Sequence, residues 1–420
     1  MHPTNFAVAM HSPGSETWEG RGHENGRQKS RCQVTAETVL ARINVMEPWL
    51  GDDEARAVAE VLASGMLTQG PKVKAFEARF SAVQEVRHAV ATSSGTTALH
   101  LALVVAGIGP GDDVVVPSLA FIATANAVTY VGARPVFCDV DPVTGTVTAA
   151  AVRAALTLDT RAVIVVDQAG VPVDLDPVRE LCDRHEITVI EDAGCAVGSA
   201  YKGRPVGTGA DVAVWSFHPD NVLTTGEGGM LTTHRADWAA RARSLRSHSL
   251  NVPAADRRRS RIAAPEVYVE VGFDYQMTDL QAAVGIVQLG RLGEIVARRR
   301  EIAARYEAGL SGLAGLRFVA DPPYGTTNFQ SFWLEVLPGF ATDREGLLAR
   351  LADAGISARR GAMAAHRQPA YRWRDTGNAG LQTTERLTDR TLVLPIFHGL
   401  DNVGLNRVMN SVRAAAGVHR

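Results

Sequence analysis

Thr188-Val189-Ile190-Glu191-Asp192-Ala193 is a short β-branched run that ends in two adjacent carboxylates. An apolar run this short, without polar alternation, reads as a strand buried on both faces. Ala162-Val163-Ile164-Val165-Val166 has the same character, as do Val114-Val115-Val116 and Pro135-Val136-Phe137. Stretches of helical pattern separate them, at 94–107, 121–131, 148–156 and 175–185. This alternation, from residue 86 to 235, predicts an α/β fold with a mostly parallel sheet covered by helices on both faces. Such sheets bind small molecules beyond the carboxyl ends of their strands, which directs Asp192 toward a ligand crevice.

Downstream, one long helix is expected from Thr278 to Leu310. A shorter α+β unit follows over 315–415, with strands at Phe332–Val336 and Leu392–Leu394. The expected division is a disordered tail at 1–42, a large α/β domain at 43–290 and a small C-terminal α+β domain at 291–420. The tail carries Gly, Ser, His and charges without an apolar segment, so it does not read as a signal peptide.

A chain of 420 residues can bury a large core, and a net charge of -2 gives no case for nucleic acid or membrane partners. Cys32, Cys138, Cys182 and Cys195 are widely spaced with no CxxC pair. That argues against a zinc or iron–sulfur site and for a reducing, cytoplasmic compartment. Arg257-Arg258-Arg259 reads as a solvated loop and Arg298-Arg299-Arg300 as an exposed helix face.

Ser94-Gly95-Thr96-Thr97-Ala98-Leu99 opens a helix directly after the run Ala89-Val90-Ala91. A small-residue turn at a helix start offers free N–H groups and a favourable dipole to an anion, although the same residues serve equally as an ordinary N-cap. Asp192 at its strand end could pair with a protonated ring nitrogen or simply cap a turn. Phe121 on its own reads as a core residue.

The segment Ser216-Phe217-His218-Pro219-Asp220-Asn221-Val222-Leu223-Thr224-Thr225-Gly226-Glu227-Gly228-Gly229 closely resembles the cofactor segment of the DegT/DnrJ/EryC1/StrS sugar aminotransferases. Further matches run from about 43 to 415, among them Glu47-Pro48-Trp49, Gly70-Pro71-Lys72-Val73 and Met277-Thr278-Asp279-Leu280-Gln281. The resemblance implies fold type I, the aspartate-aminotransferase-like architecture with a seven-stranded sheet, and a homodimer with shared active sites. It also implies a pyridoxal phosphate (PLP) or pyridoxamine phosphate (PMP) cofactor. Thr96, Thr97 and Ser216 would hold the phosphate, Asp192 would face the pyridinium and Phe121 would stack on the ring.

Three departures fall on that implied pocket. Asn221 stands where the family has the lysine that forms a Schiff base, and its amide nitrogen is neither basic nor nucleophilic. Cys195 stands where the family has Gln or His. Asp274 stands where the family has an Asn that reaches the neighbouring subunit's phosphate, and a carboxylate there would be repulsive unless protonated or bridged. Only Lys29, Lys72, Lys74 and Lys202 remain as substitutes for the missing lysine, and none lies in a cofactor-like motif.

Several functions stay open. The first is a lysine-less enzyme with non-covalent PLP or PMP, acting by dehydratase-like chemistry on a keto sugar, nucleotide sugar or cyclitol. His218 or His248 would be its base, because imidazole moves protons near neutral pH. The second is a cofactor-independent enzyme with Cys195 as nucleophile, unless that thiol is buried and inert. The third is a non-catalytic partner subunit. The fourth is an ordinary aminotransferase with its lysine replaced. Arg359-Arg360-Gly361, with His366 and Tyr371, either closes over the substrate or forms a solvated loop.

Overall fold

The computed structural model describes residues 41–250, 265–372, 380–418. Most of the expected tail, Cys32, Lys29 and Arg257-Arg258-Arg259 lie outside the described residues. Seven strands make the central sheet: β1 (His88–Thr92), β2 (Asp113–Pro117), β3 (Arg134–Cys138), β4 (Thr160–Val166), β5 (Thr188–Asp192), β6 (Val212–Ser216) and β7 (Gly229–Thr233). Their spatial order is β1-β7-β6-β5-β4-β2-β3, with β7 alone running against its neighbours. The fold is therefore the type I α/β architecture, with the mostly parallel sheet that the alternating runs predict.

Period-two alternation sorts the strand residues onto two faces. Val114, Val116, Ile164 and Ile190 pack with the helices Gly95–Val105, Ala123–Tyr130 and Ala236–Leu245. Val115, Val163, Val165 and Val189 face the other way, into a cluster that continues through Tyr306, Phe332 and Leu394. That second cluster includes residues of a four-stranded antiparallel sheet, order β8-β9-β11-β10, built from β8 (Leu316–Phe318), β9 (Phe332–Val336), β10 (Arg359–Arg360) and β11 (Thr391–Leu394).

Polar groups pin the C-terminal part to the main sheet. Asp139, just past β3, accepts from the Thr383 and Thr384 amides at 2.9 and 2.7 Å and so caps the helix Gln382–Arg390. Buried Asp279 does the same for the helix Pro71–Val83, accepting from Lys72 N at 2.7 Å and Val73 N at 3.2 Å. Gly70 at that N-cap position has no side chain to serve.

Two expectations are corrected. The long helix is two helices, Asp279–Gly290 and Leu292–Leu310, bent by 59°. Arg291 caps both helices at the break, and its guanidinium reaches Glu54 at 3.0 Å and Asp53 at 2.5 Å. The arginine triplet is also not uniformly exposed. Arg298 and Arg300 pair with Glu301 and Asp321 at 2.7 Å each, whereas Arg299 is 2% exposed. Consecutive helix residues point about 100° apart, so three in a row cannot share one face.

Candidate active site

The carboxyl ends of β4, β5 and β6, the turn after β1 and the loop after β2 surround a cavity of about 630 Å³. Strand β10 and the residues around Gln330 supply its other wall.

At one end the helix Gly95–Val105 presents its first turn. The Ser94 hydroxyl accepts from the Thr97 amide at 3.1 Å, and the Thr97 hydroxyl accepts from the Ser94 amide at 3.0 Å. The Ala98 amide is taken by the Ser94 carbonyl at 3.1 Å. Among the described residues nothing takes the Gly95 and Thr96 amides, and both residues line the cavity. Two free N–H groups at a helix start make an anion cradle. Ser216 at the end of β6 closes it, so near that a Cβ on Gly95 would lie 2.7 Å from the Ser216 Cβ. Thr96 and Ser216 line the same end of the cavity. Thr97 does not line the cavity, because its hydroxyl is spent in the helix cap.

Deeper in, Asp192 ends β5. Its carboxylate accepts from the Thr124 hydroxyl at 2.9 Å and the Gly194 amide at 3.2 Å. Burial pushes this carboxyl above the usual range, and those two hydrogen bonds pull it back down. An anion held in such a place is stabilised by a cation brought against it. Phe121 is 68% exposed on the cavity wall, so it is not a core residue and its ring is free to be stacked.

Asn221 lines the cavity and donates from Nδ2 to the Ser216 carbonyl at 3.0 Å. None of the described lysines lines it: Lys202 sits in an exposed turn paired with Asp176 at 2.6 Å, and Lys72 pairs with Glu60 at 2.9 Å. His218 is exposed at the wall rather than buried. Its Nδ1 accepts from the Asp220 amide at 3.2 Å and its Nε2 lies 4.0 Å from Glu227. Cys195 is there too, but burial first and the Asp192 charge second push its thiol up to about 12. That direction favours the inert thiol over the nucleophile.

His248 and Asp274 are not in this cavity. His248, at φ 60°, lies over a shallow surface depression with Gly272, and Asp274 bridges to Ser247 nearby. Arg359 and Arg360 do line the cavity, and Arg359 pairs with Asp220 at 2.9 Å. His366 and Tyr371 are buried in packing instead. His366 Nδ1 is 2.7 Å from the Ser118 hydroxyl, and the Tyr371 hydroxyl donates to Asn126 at 2.7 Å. Sequence reasoning missed Thr124 and Gln330, which donates to the Asp220 carbonyl at 2.7 Å. Partners 68 and 110 residues apart leave no spacing signal.

The fold is matched by relatives of known structure. The chain is 39% identical to TlmJ, an aminotransferase from Streptoalloteichus hindustanus, with a TM-score of 0.82 over 89% of this chain and 99% of that one. Against DesV from S. venezuelae, solved with a ketimine intermediate, identity is 32% and the TM-score 0.81, covering 90% and 100%. The PMP form of Spr1654 from Streptococcus pneumoniae, a putative sugar aminotransferase by its description, shares 26% identity at a TM-score of 0.83, covering 89% and 98%. The model of the DegT/DnrJ/EryC1/StrS aminotransferase family matches residues 48–413, and the chain belongs to that family.

Proposed function

We propose that this chain is an enzyme that holds PMP or PLP without a covalent link and acts on a keto sugar, a nucleotide sugar or a cyclitol. Its chemistry is then closer to dehydration than to amino transfer. The observation that carries the reading is an intact ligand cavity without an amine: Gly95, Thr96, Ser216, Phe121 and Asp192 are in place, Asn221 stands at its wall, and no described lysine lines it. The cradle and the half-buried Asp192 fit a phosphorylated pyridine. Such a cofactor, when bound, supplies an electron-withdrawing ring that stabilises negative charge on a neighbouring substrate carbon.

The remaining work belongs to side chains. The Gly95 and Thr96 amides with Ser216 hold the phosphate, and the Asp192 carboxylate keeps the ring nitrogen protonated. Phe121 covers a ring face and excludes water. Asn221 fixes the end of β6 through the Ser216 carbonyl but takes up no proton. His218 handles protons instead. In the resting ring Nδ1 accepts from the Asp220 amide and Nε2 carries the proton; as general acid the ring takes a second proton on Nδ1, gives up the Asp220 bond, and donates from Nε2, 4.0 Å from Glu227, to a departing hydroxyl. The proposal includes a cytoplasmic homodimer, supported by His248, Asp274 and the apolar Val269 and Val271 standing together outside the cavity.

The test is an absorbance-followed titration of the purified chain with PLP and, separately, PMP. Saturable binding of PMP, with no band from a lysine–cofactor link when PLP is added, supports the reading. Failure of both to bind overturns it.

A further inference from the structure

A second, much smaller cavity of about 10 Å³ lies against the other side of the Asn221 segment. Asn221, Val222, Thr224, Trp49, Arg299 and His398 are among its walls. Its volume admits one water-sized particle, and a halide is only a little larger.

Glu47 is also among its walls, an exposed carboxylate that accepts from the Asn44 side-chain amide at 2.8 Å, whereas the cation beside it is buried. Arg299 is 2% exposed, and its guanidinium meets only neutral acceptors: the Phe329 and Gln330 carbonyls at 3.1 Å each and the Met46 sulfur at 2.8 Å. Its Nε, fully buried, has no partner among the described residues, and neither has Nδ1 of His398. Burial alone lowers the Arg299 pKa to about 10, with no carboxylate to offset it. A buried, unpaired cation is costly, and such a charge is normally matched by a counter-charge. His398 is fixed by stacking on Trp49, ring centroids 3.8 Å apart, and its Nε2 lies 4.0 Å from Glu294. Nδ1 is left without a partner, and an anion beside Arg299 selects the tautomer that carries the ring proton there. Burial lowers the pKa of His398, so the imidazole is a neutral donor that adds no second charge.

We propose that this cavity is a binding site for one small monovalent anion, chloride in solution, held between Arg299 Nε and His398 Nδ1. The ion neutralises the buried guanidinium and braces the 221–224 segment, one wall of the larger cavity, from behind. The inference stands whether or not the larger cavity takes PLP or PMP.

The full chain would be crystallised with sodium bromide and its anomalous scattering measured. Thermal unfolding would be followed in sodium chloride and sodium gluconate at equal ionic strength. The expected result is an anomalous peak between Arg299 and His398, with Tm about 2 °C higher in chloride, the shift that ion occupancy at ten times Kd produces in a chain of this size. Arg299→Met, which removes the charge and keeps the bulk, abolishes the difference between the salts. An ordinary water at the position with no anomalous signal overturns the proposal. So does equal melting of the wild-type chain in both salts, or a chloride effect that Arg299→Met retains.

Discussion

At the scale of single residues, the proposed chemistry turns on the contrast between Asp192 and Asn221. Asn221→Lys puts an amine on the cavity wall. PLP followed by borohydride should then leave a stable mass increase that the wild-type chain does not show, and affinity for the aldehyde should rise at least about 10-fold, or ~1.4 kcal/mol. No adduct would mean that position 221 does not face the aldehyde. Asp192→Asn should weaken binding about 10- to 100-fold, the range for losing a charge-assisted hydrogen bond of ~1.5–3 kcal/mol. The pH dependence has a defined sign. Burial raises the Asp192 pKa in the folded, ligand-free chain, so its contribution to stability is full below the ordinary carboxylate range and is lost as pH rises through the raised value. A ring cation needs the ionised form. Wild-type affinity therefore falls as pH drops through that raised value, and titrations of Asp192→Asn should be flat across the same window.

At the scale of elements, the helix Gly95–Val105 has two separable functions. Ser94→Ala removes the cap and should cost about 1 kcal/mol of stability, visible as a lower Tm, while the Gly95 and Thr96 amides remain. Gly95→Ala keeps the cap but adds a Cβ that would stand 2.7 Å from the Ser216 Cβ. Helix and strand end must part, and phosphate-bearing ligands should lose about 10-fold or more in affinity, or ~1.4 kcal/mol, in the same titration. A Gly95→Ala chain that binds normally would remove the cradle from the argument. The strands and this cradle were legible because buried runs and small-residue turns are local signals. The break at Arg291 was not, because the partners of that residue, Asp53 and Glu54, lie nearly 240 residues earlier. Arg299 was misread for a related reason: a run of identical charges hides the helical period. Asp192 was legible at its strand end, yet Thr124, which holds it, came only with the fold.

At the scale of the whole molecule, the sequence brings His248 and Asp274 to one place, but not to the cavity. Val271 is 87% exposed and Val269 64%, on the segment that leads into Asp274. Exposed branched apolar residues beside polar groups of otherwise unassigned role mark a surface for another chain. A second copy is the occupant that the proposed homodimer requires, and it would carry Asp274 toward its neighbour's cavity. Val271→Asp places a charge in that surface, and burying an unpaired carboxylate costs several kcal/mol, enough to separate a modest interface. Sedimentation should find the wild-type chain at twice its 44.8 kDa mass and the variant at that mass alone. If the partner completes the cavity, the variant should also bind PMP more weakly while unfolding at a similar denaturant concentration. A wild-type chain that sediments as a monomer and still binds PMP would place the whole site within one copy and leave Asp274 without a part in it.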